Sequence, residues 1–324
     1  MKSRIITSAP GKLMLFGEHA VVYGRGCIVT AVGERIKTKV EIAADDEIII
    51  DAPDVGVKNF SEPVGKLGKG KTPKGARFLV SAIRCFFERY NLKSGLKVET
   101  SSDFSSEFGF GSSSGVTVAV LKAMSELFGK RMSKKELFDL AYRVVLDVQG
   151  LGSGFDLAAA IWGGTIHFVT GGRVVDPLDL ELLPLVVGFT GVKADTATLV
   201  RKVARLKESH PEIVDNIFNV VNLTVERAKT ALEQGDFEKV GELMNLNQGL
   251  LESLGVNTKV LSDLIFAARG AGAYGAKLSG AGGGDCMIAF APKYKLKKVK
   301  ASINKAGGKV LNVKLNAEGV RVEG

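Results

Sequence analysis

Glycine in this chain is bunched, and the bunching limits what the chain can fold into. There are 39 glycines among 324 residues, against a usual share of about 7%. Many of them fall in four clusters, at residues 11–26, 109–115, 150–164 and 280–284. No G-X-Y period runs through the chain and no single tract holds the excess, so neither collagen nor a low-complexity linker explains it. Glycine allows positive φ and close approach to the backbone. Clusters between apolar segments therefore read as loops that turn tightly or cradle a ligand.

Composition supplies the outer bounds. An apolar fraction of 45% with 24% charged residues of both signs describes a globular chain rather than a disordered one. The length suits two domains, or one large one. No apolar stretch approaches the roughly 18–20 residues of a membrane helix. Met1-Lys2-Ser3-Arg4 runs straight into Ile5-Ile6-Thr7, without the apolar run of a signal peptide. Cys27, Cys85 and Cys286 are far apart and form no C-x-x-C, which points to a reducing cytoplasm and away from disulfides or zinc. His19, His167 and His210 are too scattered for a metal centre. The net charge of +9 is densest at 66–74, which reads as a loop, and at 293–300, which reads as an exposed helix face. A nucleic-acid surface would interleave aromatics with clustered basic residues. We expect no nucleic-acid and no membrane partner, and a field that suits small anions such as ATP.

Short alternating runs at 4–8, 13–16, 27–40 and 47–51 predict strands, with turns at 24–26 and 45–46. A Lys/Gly/Pro-rich loop covers 64–75. Helical spacing at 76–90 puts Phe78, Leu79, Ile83 and Phe86 on one face. A strand at 96–100 and a polar stretch at 101–107 lead to a helix over 116–128. Ser133 and Glu136 form a capping box for a helix reaching 149. The segments 150–156 and 163–164 bracket a short helix, and the chain after Pro177 reads as a crossing between domains. Beyond a strand at 185–190, a run of helices at 195–207, 211–234, 237–254 and 258–272 is completed by strands at 275–278, 286–290, 309–314 and 319–322. This is an α+β chain with domains at 1–178 and 179–324.

Three motifs compete to explain the glycines. Residues 65–72, Gly65 to Thr72, match G-x-x-x-x-G-K-[ST] letter for letter. That loop works between a buried strand and a helix, and Pro63 makes the preceding segment a poor central strand. A mobile basic loop is the better account. Residues 111–115 match G-x-S-x-G with Ser113 at the centre, and Asp156 with His167 or His210 follows in hydrolase order. The elbow must follow a strand, and the polar lead-in argues against one. The third reading is a glycine loop opening a helix, whose free N–H groups and dipole attract phosphate.

Read together, the clusters carry a family resemblance. Residues 10–24, PGKLMLFGEHAVVYG, resemble the first signature of the GHMP small-molecule kinases. Gly109, Phe110, Gly111, Ser112, Ser113 and Ser114 resemble the second, phosphate-binding one. Residues 277–286, KLSGAGGGDC, resemble the third. The resemblance spans the chain and implies a two-domain GHMP kinase fold. Its N-terminal domain would be of the ribosomal protein S5 domain 2-like type, with a left-handed βαβ crossover against the general rule. Its C-terminal domain would be ferredoxin-like, with the active site between the two.

The resemblance also implies roles. Asp156 would accept the acceptor hydroxyl's proton, and Lys12 would keep it ionised and stabilise the transferring charge. An exposed turn lysine and a helix-capping aspartate are the plainer alternatives. Residues 109–114 would bind ATP. Glu18, His19, Ser153, Gly280, Ala281, Gly282 and Gly283 would line the acceptor pocket. Ser113 would bind Mg²⁺. The family's metal-binding Glu falls at Val145, so Asp147, about 200° further round a helix, stands in as the candidate carboxylate. Asp285 in the third motif has no assigned role. Residues 18–24 and 245–256 resemble the members that phosphorylate mevalonate. Residues 152–156 and 279–286 resemble those acting on 5-phosphomevalonate. Mevalonate is the favoured acceptor, in a homodimeric enzyme. A ligand-binding regulator on the same fold, or a serine hydrolase using Ser113, are the other readings.

Overall fold

The computed structural model describes residues 3–105, 107–180 and 183–323. Strand β1 (Arg4–Phe16) pairs antiparallel along its length with β2 (Gly26–Ile42). The expected strands at 4–8 and 13–16 are thus one element. Its middle is Pro10-Gly11, where the register shifts by a bulge, a device that absorbs a proline inside a sheet. Lys12 therefore sits in a strand and not in a turn.

The sheet continues through β5 (Leu96–Ser102), β3 (Glu47–Ala52) and β4 (Val57–Pro63), with β6 (Thr165–Val169) and β7 (Val174–Leu178) branching from β2. β3 and β5 are parallel, and α1 (Arg77–Tyr90) lies in their connection. Helices α2 (Ser112–Leu127), α3 (Lys134–Gln149) and α4 (Phe155–Trp162) complete this layer. Both hydrogen bonds of the Ser133–Glu136 capping box are present at the start of α3.

A second, antiparallel sheet has the order β11 (Lys309–Leu311), β8 (Leu185–Phe189), β10 (Cys286–Phe290), β9 (Gly275–Ser279). Five helices accompany it: α5 (Thr196–Ser209), α6 (Pro211–Glu233), α7 (Phe237–Ser253), α8 (Lys259–Gly270) and α9 (Leu296–Lys305). The expected crossing after Pro177 includes residues 181 and 182, which lie outside the described residues.

The end of the chain departs from the expected division at 179. Residues 319–322 do not extend the second sheet. β12 (Arg321–Val322) pairs with β1, and bridges join Val32 to Leu315 and Gly163 to Glu318. A Cβ on Gly163 would meet the Gly319 nitrogen at 2.1 Å, so the returning tail depends on that glycine.

Alternation along β1 builds the joint between the domains. Ile5, Ala9 and Met14 pack into the core beneath α1–α4. Leu13, Leu15 and Phe16 join Phe189, Ile288 and Phe290 of the second domain in another core. Opposite faces of one strand thus enter two cores, as period-two side chains must. At ~25 cal/mol per Å² of apolar surface, such buried side chains contribute about 1.5–3 kcal/mol each.

Candidate active site

The glycine and serine segment opens α2 further upstream than the periodicity predicted. The helix begins at Ser112, with Gly111 at its N-cap in the left-handed conformation (φ +80°) and no side chain capping it. Gly109 also has positive φ, +71°. The serines therefore sit in the first turn of a helix whose terminus faces outward uncapped, a geometry that suits an anion. Ser112 and Ser113 are half-buried, whereas Ser114 is buried. Phe110 is buried against Phe104 and Phe108, so this residue offers the site only its backbone. Its carbonyl accepts the Lys12 N–H at 3.0 Å.

Lys12 and Asp156 converge on this turn. The Lys12 ammonium donates to the Gly109 carbonyl at 2.9 Å and lies 5.3 Å from the Phe155 ring centroid. Gly111 separates the two residues: a Cβ there would meet Lys12 Cε at 3.2 Å and Asp156 Cβ at 3.7 Å. Asp156 is not a helix cap. Gly154 is the N-cap of α4, and no side chain caps that end, so the Asp156 carboxylate is left for other work.

The first and third motifs meet across the domain joint. His19 has a φ of +60°, and its Nε2 lies 3.0 Å from the Ala281 carbonyl. Ser279 donates to the Met14 carbonyl at 2.8 Å and accepts the Met14 N–H at 3.2 Å. Gly283 N–H is bonded to the Val256 carbonyl at 2.8 Å, while Gly280 and Gly282 also take positive φ. Burial holds His19 below the usual imidazole range, offset in part by the Ala281 contact. Ser153 is buried, its carbonyl accepting from Gly171 N–H.

Two expected site residues are corrected. Glu18 does not line a pocket: its side chain is fully buried and ion-paired with Lys277. Asp147 is diverted. Its carboxylate accepts from Ser81 at 2.7 Å and pairs with Arg84 at 2.5 Å, and these donors hold it below the usual carboxylate range. Val145 is buried and would collide with a Cβ on Gly152.

Asp147 instead borders a cavity of about 340 Å³ whose lining includes Gly70, Lys71, Thr72, Arg77 and Arg84. The loop resembling a P-loop forms one wall, but its N–H groups serve the protein itself. Gly68 and Gly70 donate to the Glu62 carboxylate at 3.0 and 3.3 Å. Nor does Ser113 have the surroundings of a nucleophile elbow. It lies in a helix, while His167 is on β6 beside Glu226 and His210 ends α5.

Among the described residues, no three His, Cys, Asp or Glu gather as a metal site. Mg²⁺ is commonly held by few protein oxygens together with phosphates and water and needs no such cluster; Ser113 stands in the first turn of α2.

Lys12 and Asp156 thus flank the uncapped terminus of α2, and Asp285 of the third glycine motif lies against Gly109 at the same turn. The chain belongs to the GHMP kinases, ATP-dependent kinases of small molecules. Residues 77–164 match the GHMP kinases N terminal domain and residues 228–309 the GHMP kinases C terminal domain. The mevalonate kinase of Thermococcus sibiricus is 39% identical over 99% of this chain and 98% of its own. The crystal structure of Methanococcus jannaschii mevalonate kinase superposes with a TM-score of 0.81, at 27% identity over 97% of this chain and 98% of that one. Streptococcus pneumoniae phosphomevalonate kinase, in complex with phosphomevalonate and AMPPNP, shares the fold at TM-score 0.81 and 23% identity, over 96% and 99% of the two chains. Among the described residues no helix is long and apolar enough to cross a membrane. The three cysteines are free and buried.

Proposed function

We propose that this kinase transfers the γ-phosphoryl group of ATP to the 5-hydroxyl of mevalonate. Mevalonate is the substrate that names its relatives of 38–40% identity, and the first motif, which faces the acceptor in this reading, is of their form. The observation that carries the mechanism is the convergence of Lys12 and Asp156 on Gly111, at the terminus of α2.

In this reading residues 109–114 hold the triphosphate through backbone N–H groups and hydroxyls. The cavity beside Lys71, Arg77 and Val148 takes the nucleoside. Ser113 holds Mg²⁺, which neutralises phosphate charge when bound. His19, Ser153, Gly280, Ala281, Gly282 and Gly283 surround the acceptor. Asp156 takes the hydroxyl proton as the oxygen attacks phosphorus. Lys12 offsets the charge on the transferring group. The enzyme is expected to work in the cytoplasm as a homodimer, which sedimentation would read directly.

The test is ADP release with MgATP and a panel of mevalonate, 5-phosphomevalonate, homoserine and galactose. Mevalonate should give the highest kcat/KM. Turnover confined to 5-phosphomevalonate would transfer the assignment to that acceptor. Turnover with none would favour a ligand-binding regulator. Lys12→Met and Asp156→Asn should each lower kcat by about 10³-fold or more while ADP binding is retained. Undiminished turnover in either variant would refute the mechanism.

A further inference from the structure

Asp285 stands where glycine would be the easier residue. Its φ is +53°, a region that costs L residues strain, and it follows Gly282, Gly283 and Gly284. Its side chain is half-buried against the phosphate-binding turn: a Cβ on Gly109 would come within 2.5 Å of Oδ2. Oδ1 accepts the Ala194 N–H at 2.8 Å. The Asp285 N–H donates to the Val192 carbonyl at 2.7 Å, and its carbonyl accepts from the Thr190 N–H at 2.9 Å and the Thr190 hydroxyl at 3.0 Å. Burial raises this carboxyl above its usual range, while the Ala194 N–H, Lys12 and Lys193 pull it back. A strained carboxylate beside a phosphate cradle is unfavourable in itself. It requires a structural return that glycine could not supply.

We propose that Asp285 is a positioning residue for phosphoryl transfer: it fastens the loop after β8 to the third motif and braces both against Gly109. The third motif would hold the acceptor and the Gly109 turn the donor phosphates, so the brace sets their separation. This inference rests on the acceptor and donor loops assigned under the proposed function. The working part is the oxygen that accepts the Ala194 N–H, and not the charge.

Asp285→Gly and Asp285→Asn test it. Glycine relieves the positive φ and should fold, yet removes the brace. Asparagine tolerates the left-handed region and keeps an accepting oxygen. For Asp285→Gly the expected result is a raised KM for mevalonate and a lowered kcat. The combined loss should be about tenfold to a hundredfold, because misplacement by about 1 Å costs on that order. Asp285→Asn should stay within about threefold of the unsubstituted enzyme. Kinetic constants unaltered in Asp285→Gly would overturn the proposal, as would Asp285→Asn failing as badly as glycine. Amide hydrogen exchange gives a readout independent of the acceptor's identity. Asp285→Gly should speed exchange at residues 190–194 and 109–111, and Asp285→Asn should not. If mevalonate is not turned over, the substrate assignment fails, and the exchange data still decide the brace: unchanged exchange in Asp285→Gly refutes it.

Discussion

Glu18 and Lys277 form an ion pair sealed from solvent, one partner in the turn after β1 and the other on β9 of the second domain. Burial pushes the Glu18 carboxyl up and the Lys277 ammonium down, and for each the partner's charge opposes the shift. Removing one partner leaves a buried charge without compensation. Lys277→Met should therefore cost about 3–5 kcal/mol, and the double substitution Glu18→Gln with Lys277→Met should recover a large part of it. Denaturant unfolding measures both. Equal losses in Lys277→Met and the double variant would mean that the stranded Glu18 charge is not the source of the cost.

The residue after Glu18 gives a pH prediction. The folded-state pKa of His19 is depressed by burial. In the unfolded chain it titrates near 6.5. Its contribution to stability is thus present above about pH 6.5 and is lost as pH falls through the folded-state value. His19→Gln cannot take up that proton, so its melting temperature should fall less steeply than the parent's between pH 7.5 and 5. Parallel melting curves against pH would show that His19 is not the group responsible.

Gly111 is the residue on which the donor and catalytic groups of the proposed mechanism converge, and a methyl group there would be tight against Lys12. Alanine there would hold φ near +80° at about 1–2 kcal/mol and press on Lys12 Cε at 3.2 Å. Gly111→Ala should lower kcat by about tenfold or more and depress the melting temperature modestly. A variant with normal turnover would place the reacting groups elsewhere.

The parts of this architecture that local chemistry dictates could be read before the fold. Ser133 with Glu136 marked the start of α3, and the family resemblance implied that Lys12 and Asp156 lie close together, as neighbours of Gly111. The misses share a cause, which is that side-chain partners come from distant segments. Glu18 looked like a pocket residue because nothing local announces Lys277, 259 positions away. Asp147 looked available for a metal because Arg84 and Ser81 lie on a different helix. Lys277 and Ser279 were read only as letters of the third motif, although a lysine inside the otherwise small and apolar strand 275–279 is a signal of a buried partner. The tail at 319–322 reads as a strand in sequence, but pairing with β1 is a long-range choice.

The loop at 65–72 offers the sharpest contrast between letters and structure. A P-loop lysine neutralises the transferring phosphate, and its loss removes turnover by orders of magnitude. Here the loop N–H groups of Gly68 and Gly70 are bonded to Glu62, an internal carboxylate occupying the nest that a phosphate would need. Lys71 borders the cavity beside α1, where it would meet the nucleoside end of ATP and not the reacting end. Lys71→Met should therefore raise the KM for ATP by no more than about tenfold, the scale of one lost polar contact, and leave kcat within about twofold. Glu62→Ala should instead lower stability, by about 0.5–1.5 kcal/mol for each hydrogen bond lost to the loop. Steady-state kinetics with varied ATP, run beside denaturant unfolding, separates the two effects. A collapse of kcat in Lys71→Met would restore the P-loop reading and displace residues 109–114 as the phosphate cradle.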